Sequence, residues 1–162
     1  MIAFFSKRNV LLGGVFCMGL AGCAPTQAEL AKKAEDAARA AGREVVSGRA
    51  TEQAGVVTFT LTNITSKSIG IQYNDCGDSL TFKIRDLENN AYTSSVGDGL
   101  CVLTFRINRL NPGELVRVSK GYRLPSGTYK IDTSLKSLLF DLASNHETHL
   151  LVDAPTITVT IP

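Results

Sequence analysis

The chain has 162 residues, 44% of them apolar and 20% charged, with 17 Lys+Arg against 15 Asp+Glu and four cysteines. That length suffices for one domain with attachments, and the apolar content excludes wholesale disorder. The near balance of charge excludes the basic field that nucleic-acid binding requires.

The first residues read as an export signal. Lys7 and Arg8 form a positive start, and Val10 to Leu20 (VLLGGVFCMGL) is an apolar run of eleven residues. A spanning helix needs roughly 20 apolar residues to cross ~30 Å of hydrocarbon, so this run suits a signal peptide instead. Leu20-Ala21-Gly22-Cys23 resembles the bacterial lipobox. The resemblance implies cleavage before Cys23 and acylation of its thiol, palmitate included. The expected organisation is a signal peptide over 1–22, a lipid-anchored helical spacer over 23–43 and a β-domain over 44–162. Loss of residues 1–22 removes Lys7 and Arg8, the source of the +2 formal charge. Cys17 leaves with the signal. Cys76 and Cys101 remain as an even pair in an oxidising context, which predicts a disulfide. Such a bridge is worth ~3.5 kcal/mol on the chain-entropy account. Two cysteines fall short of the four ligands that structural zinc takes.

Residues 26–42 read as a helix. Thr26-Gln27-Ala28-Glu29 has capping-box spacing. Glu29–Lys33 and Glu35–Arg39 are i,i+4 pairs in the favoured order. Gly42 sits where a C-cap glycine belongs. The apolar stripe is mainly alanine, with Leu30 its one large member. Two arrangements fit: a spacer between lipid and domain, or a helix packed loosely on the domain or on a partner helix.

From residue 44 the period turns alternating. Val57, Phe59 and Leu61 point one way and Thr58, Thr60 and Thr62 the other, as in a strand with one wet face. The pattern recurs at Ile69-Ile71-Tyr73, Leu80-Phe82-Ile84, Cys101-Leu103-Phe105-Ile107, Tyr129-Ile131 and Ile157-Val159-Ile161. Turn signals lie between, at Asn63–Ser68, Glu88-Asn89-Asn90, Asn111-Pro112-Gly113 and Pro125-Ser126-Gly127. The spacing predicts a mainly β fold: an immunoglobulin-like antiparallel β-sandwich of seven to nine strands behind one N-terminal α-helix. Gly127-Thr128-Tyr129 is similar to a tyrosine corner; a plain half-buried strand tyrosine is the alternative. Residues 136–153 break the alternation, and Ser137 to Ala143 reads as a short helical turn.

Candidate chemistry is sparse. His146-Glu147-Thr148-His149 spaces its histidines i,i+3, not the i,i+4 of a zinc-protease helix, and reads as a solvated loop. No serine elbow, phosphate loop or dinucleotide fingerprint is present. Asp75, Asp78 and Asp98 match no calcium-loop spacing. Asn63-Ile64-Thr65 fits a glycosylation sequon, and a turn held by local side-chain hydrogen bonds explains it equally. No catalytic residue, metal or cofactor is expected. The candidate binding loop is Leu87 to Gly99, with Glu88, Asn89, Asn90, Tyr92 and Asp98 as its polar and aromatic members, because tethered loops on a rigid sandwich carry binding.

Phe59-Thr60-Leu61-Thr62-Asn63, Ile69-Gly70-Ile71 and Leu80 to Asp86 resemble the bacterial intracellular proteinase inhibitor (BsuPI-like) family. Leu110-Asn111-Pro112-Gly113-Glu114 and Leu124 to Tyr129 continue the likeness, which covers about residues 54–135. It implies an immunoglobulin-like fold and protease inhibition; it identifies no inhibitory loop, and the 87–99 or 110–114 loop is the one an inhibitor of this sequence would present. The lipid signal, the cysteine pair and the irregular C-terminal segment depart from that family. The expected function is a non-catalytic envelope lipoprotein, anchored through Cys23, that engages an unidentified envelope protein; the alternative is a proteinase inhibitor. Ala24 after Cys23 is similar to outer-membrane lipoproteins of Gram-negative cells.

Overall fold

The computed structural model describes residues 25–74, 79–93, 105–140, 142 and 146–162. Cys23, Cys76, Asp98 and Cys101 lie outside the described residues, as do Asp75 and Asp78. The fold is an antiparallel β-sandwich behind one helix, α1 (Gln27–Val45).

The helix begins as its sequence dictates. The Thr26 hydroxyl accepts from the Glu29 amide at 3.2 Å, and the Glu29 carboxylate accepts from the Thr26 amide at 2.7 Å. Its end differs from expectation. Gly42 is buried inside the helix rather than at a cap, and the chain passes from Val45 directly into β1 (Val46–Gln53). The reason is a close approach: a Cβ at Gly42 would stand 3.0 Å from the Leu151 carbonyl oxygen. The helix therefore has two halves. Every residue from 25 to 37 is exposed. Ala38, Arg39, Ala41, Gly42 and Val45, spaced three or four apart, turn toward the sandwich. The sequence left spacer and packed helix open; the first half stands clear and the second is docked. No helix among the described residues is long and apolar enough to cross a membrane.

One sheet has three strands, β1 beside β2 (Val56–Asn63) beside β7 (Leu115–Gly121). The other is built on β8 (Gly127–Phe140), fourteen residues long. β4 (Leu80–Asp86) pairs with residues 129–135 of β8 and β3 (Ile69–Asn74) with 138–140. β10 (Ile157–Ile161) pairs with 127–131 and β9 (Glu147–Asp153) with 134–140. The overlaps put β3 and β4 end to end on one edge of β8, and β9 and β10 on the other. Between Asp153, opposite Ser134, and Ile157, opposite Ile131, there is one more residue than on β8, as in a bulge. Short β5 (Ala91–Tyr92) extends β4, and β6 (Phe105–Leu110) extends β3. These interrupted partners make ten strands among the described residues, where seven to nine were expected. Ser137 to Phe140, expected to turn, continue β8, and Glu147 to His149, expected as loop, open β9.

The core lies between the sheets. Val57, Phe59 and Leu61 of β2 meet Ile71, Leu80, Ile131 and Leu135 from the larger sheet, all fully buried. Each such side chain contributes about 1.5–3 kcal/mol by leaving water. The Tyr129 hydroxyl donates to the Pro125 carbonyl at 3.1 Å, the bond of a tyrosine corner.

Candidate functional site

Turn and strand chemistry places the candidate loop residues first. Asp86 ends β4, and its carboxylate accepts from the amides of Glu88 (2.9 Å) and Asn90 (2.8 Å) and from the Asn90 side chain (2.8 Å). These bonds, the Asn90 side chain foremost, hold the Asp86 carboxyl below its ordinary range. Asn89 takes a left-handed φ of 67° at the tip. Glu88, Asn89, Asn90 and Tyr92 are thus brought together, exposed, on a turn whose amide donors are already used. The Tyr92 ring meets Tyr129 edge-on, centroids 5.2 Å apart, and the neighbouring Asp86 charge raises its phenol pKa. The second candidate loop is closed in the same way: Glu114 accepts from the Asn111 amide at 2.8 Å and its side chain at 3.1 Å. Both turns, at 86–90 and 111–114, are closed by their own hydrogen bonds, while residues 94–99 of the first loop lie outside the described residues.

A larger feature lies on the outer face of the long sheet. The docked half of α1 runs beside β9, which has no strand partner but β8 among the described residues. Helix and sheet leave a trough of about 490 Å³ between them, lined by Glu35, Ala38, Arg39, Lys83, Lys136 and Leu151 among others. At one end it shares Lys136, Ser137 and His149 with a hollow of about 160 Å³; at the other it shares Arg39, Lys83 and Ser134 with one of about 270 Å³. The three form one furrow across the sheet.

Its walls are fixed by charge. Arg39 donates to Glu35 at 2.7 Å and also pairs with Asp153 on β9. Ser134 of β8 donates to the other Asp153 oxygen at 2.6 Å. Helix, β8 and β9 are therefore tied through the Asp153 carboxylate. The hydrogen bond from Arg39 and then its charge, with smaller contributions from Lys83 and Lys136, lower the Glu35 pKa. Nearby, Asp132 accepts from Thr156 at 2.6 Å and Arg85 at 2.5 Å. The trough's carboxylates are thus engaged, whereas no hydrogen bond or ion pair holds the Lys83 or Lys136 ammonium among the described residues. Ser137, next to Lys136 on β8, faces the opposite, core side with Leu135 and Leu150; it is 7% exposed and its hydroxyl has no partner. The trough thus sets the Lys83 and Lys136 ammonium groups near bonded carboxylates, with Leu151 beside Lys136 buried under the helix.

Sequence reasoning missed this trough. The Glu35–Arg39 pair was visible as helix spacing, but Asp153 lies 114 residues from Arg39. Nothing in the sequence marks Lys83 or Lys136, which only the pairing of β4 with β8 brings onto one face. The sequon at Asn63 is a structural turn: the side chain is 1% exposed and its Oδ1 accepts from the Thr65 amide (2.9 Å) and hydroxyl (2.8 Å).

No family model matches the chain, and no curated protein matches it. The BsuPI-like resemblance therefore rests on the residues quoted for it. Among solved structures, the chain is similar to a Bordetella pertussis protein provisionally named ApaA, at 16% identity over 72% of this chain and 90% of that one, with a TM-score of 0.41. It is also similar to a structural-genomics target, SoR45, at 10% identity over 72% of this chain and 84% of that one, with a TM-score of 0.33. Both likenesses are distant, and the fold assignment stands on the strand pairing itself.

Proposed function

We propose that the chain is a lipid-anchored lipoprotein of the bacterial envelope whose sandwich is a non-catalytic protein-binding module. One observation carries the reading: the lipobox ending at Cys23 is followed by a helix whose first half is exposed on every face. Eleven helical residues, Gln27 to Ala37, span about 16 Å at 1.5 Å per residue. A solvated stalk of that length between an acylated cysteine and a docked half-helix holds the sandwich clear of a membrane surface. Several acyl chains make such anchoring stable where one is marginal. In this reading Cys76 and Cys101 form one disulfide, as expected for an oxidising compartment. Outer-membrane sorting follows if the cell is Gram-negative.

Metabolic labelling with a fatty-acid analogue, comparing wild type with Cys23→Ala, tests the anchor. Label on the wild type alone is expected; equal labelling of both chains overturns it. A free-thiol count on the denatured, exported protein tests the bridge, with no reactive Cys76 or Cys101 expected. Incubation with a panel of serine proteases addresses the inhibitor alternative. The turns at 86–90 and 111–114 bond their own amides, so proteolysis at an undiminished rate is expected, and slowed cleavage favours the inhibitor reading.

A further inference from the structure

We infer that β10 pairs edge to edge with β10 of a second copy, antiparallel about a two-fold axis at Val159, so that the long sheets of two chains become one. The inference goes beyond the proposed function and rests on neither the lipid anchor nor the disulfide.

Three observations point to that occupant. The first is an unguarded edge. β10 pairs with β8 alone among the described residues. Sheet edges are ordinarily protected by charge, proline, shortness or a covering element. β1, β6 and β7 carry Arg49, Arg109 and Arg117, β5 has two residues, and α1 lies along β9. β10 reads Ile157-Thr158-Val159-Thr160-Ile161, five β-branched residues without a charge, between Pro155 and Pro162. The second is symmetry of sequence. ITVTI is a palindrome. Antiparallel pairing centred on Val159 therefore sets isoleucine against isoleucine, threonine against threonine and Val159 against its own mate, as an isologous two-fold contact requires.

The third is the phase of the hydrogen bonds. Along β8 the Lys136 amide donates to the Ser79 carbonyl on the β4 side at 2.8 Å, whereas the Thr133 carbonyl accepts from the Ala154 amide on the other side at 3.1 Å. Even-numbered residues of β8 therefore bond β4, and odd-numbered ones bond β10. Tyr129 stands opposite Val159 and Ile131 opposite Ile157, so the peptide groups of Ile157, Val159 and Ile161 turn to β8. Those of Thr158 and Thr160 turn to the open edge. The register centred on Val159 sets Thr158 against Thr160 of the second copy, so every outward N–H of the two strands finds a carbonyl. A shift by two residues leaves one threonine of each chain without a mate in the strand. Ile157 and Ile161, half-buried on the core face, gain cover. The threonine side chains meet as Thr128 and Thr160 already do across β8 and β10, at 3.2 Å. The helix leaves this edge clear, because Glu35 lies toward Thr81 and Lys83 of β4, on the far side of β8 from β10.

The test uses the full chain in a non-ionic detergent. Sedimentation equilibrium at matched detergent density reads the protein mass. A reversible monomer–dimer equilibrium in the micromolar range is expected, because a five-residue edge makes a small interface. Thr158→Pro removes only an outward N–H, which an edge strand tolerates, and should leave the chain folded and monomeric. Thr158→Lys with Thr160→Lys sets lysine against lysine and should raise the dissociation constant about ten-fold. Thr158→Lys with Thr160→Glu sets lysine against glutamate and should return it to the wild-type value or below. Oxidation reads the register. Val159→Cys faces its own mate across a non-hydrogen-bonded pair, with about 4.5 Å between Cα atoms, within disulfide reach. A reducible dimer band above the wild-type background is expected. Thr160→Cys, about 7–8 Å from its mate, should give far less. Circular dichroism melts check that each variant is folded, and the threonine variants carry the test should Val159→Cys unfold. Three outcomes overturn the proposal: a chain monomeric throughout the micromolar range, a dimer that Thr158→Pro and the lysine pair leave intact, or a cross-link as strong from Thr160→Cys as from Val159→Cys. The second would put the dimer on another surface. None of them bears on fatty-acid labelling at Cys23, so the anchor and the dimer fail separately.

Discussion

The Asn63 side-chain amide donates to the Leu110 carbonyl at 3.0 Å and to the Lys67 carbonyl at 2.8 Å, joining β2 to the end of β6 across 47 residues. The same residue's backbone bonds Glu114 and Gly113, so one asparagine holds two turns together. Asn63→Ala would take this donor from the buried Leu110 carbonyl, whereas the Lys67 carbonyl keeps the Thr65 hydroxyl at 2.9 Å. A loss of about 1–3 kcal/mol is expected, the cost of one unsatisfied buried group. Urea unfolding measures it, and a loss under about 1 kcal/mol would show that water replaces the amide.

Gly48 on β1 allows a similarly close contact. A Cβ there would meet the Phe59 ring at 2.6 Å and the Asp153 carbonyl oxygen at 2.9 Å. The carbonyl belongs to β9 and cannot rotate away. Gly48→Ala is therefore expected to destabilise by about 1–3 kcal/mol, as overpacking does. An unchanged urea midpoint would contradict the close approach of β1 to β9.

Much of this architecture was legible, and the gaps have a common cause. Alternation revealed β2 and β10 because each keeps one wet face. It failed at Leu150-Leu151-Val152, where all three residues are buried. Leu150 and Val152 face the core, while the docked helix covers Leu151 on the other side. A strand covered on both faces loses its period of two. The furrow was illegible for another reason: its lysines come from β4 and β8, and only register brings them onto one face. The capping box at Thr26 was readable because all its partners lie within three residues.

The β1–β2 connection carries a residue its geometry does not favour. Ala54 and Gly55 form the two-residue loop, with φ of 51° and 79°. Both positions of such a turn prefer glycine or asparagine. The left-handed conformation costs a Cβ residue about 1–2 kcal/mol. Ala54→Gly relieves that cost but loosens the unfolded chain, so a net gain of about 0.5–1 kcal/mol is expected. Ala54→Asn should do at least as well. Thermal midpoints that fall for both variants would refute the turn assignment.

Acid should unfold the domain through its bonded carboxylates. Thr156 first and Arg85 second hold Asp132 below its ordinary pKa, and Asp86, Glu35 and Glu114 are lowered likewise, chiefly by hydrogen bonds. A carboxyl whose folded pKa is depressed binds fewer protons folded than unfolded. Its stabilising effect is complete above the unfolded value and fades as pH falls through the folded one. Stability is expected to be flat in these groups above about pH 5 and to decline steadily below about pH 4. Asp132→Asn should lower the urea midpoint at neutral pH and make its acid dependence shallower, because one titrating group is gone. Parallel curves for wild type and variant between pH 5 and pH 2 would show that Asp132 contributes nothing through its charge, and that Thr156 and Arg85 bind it only as neighbours.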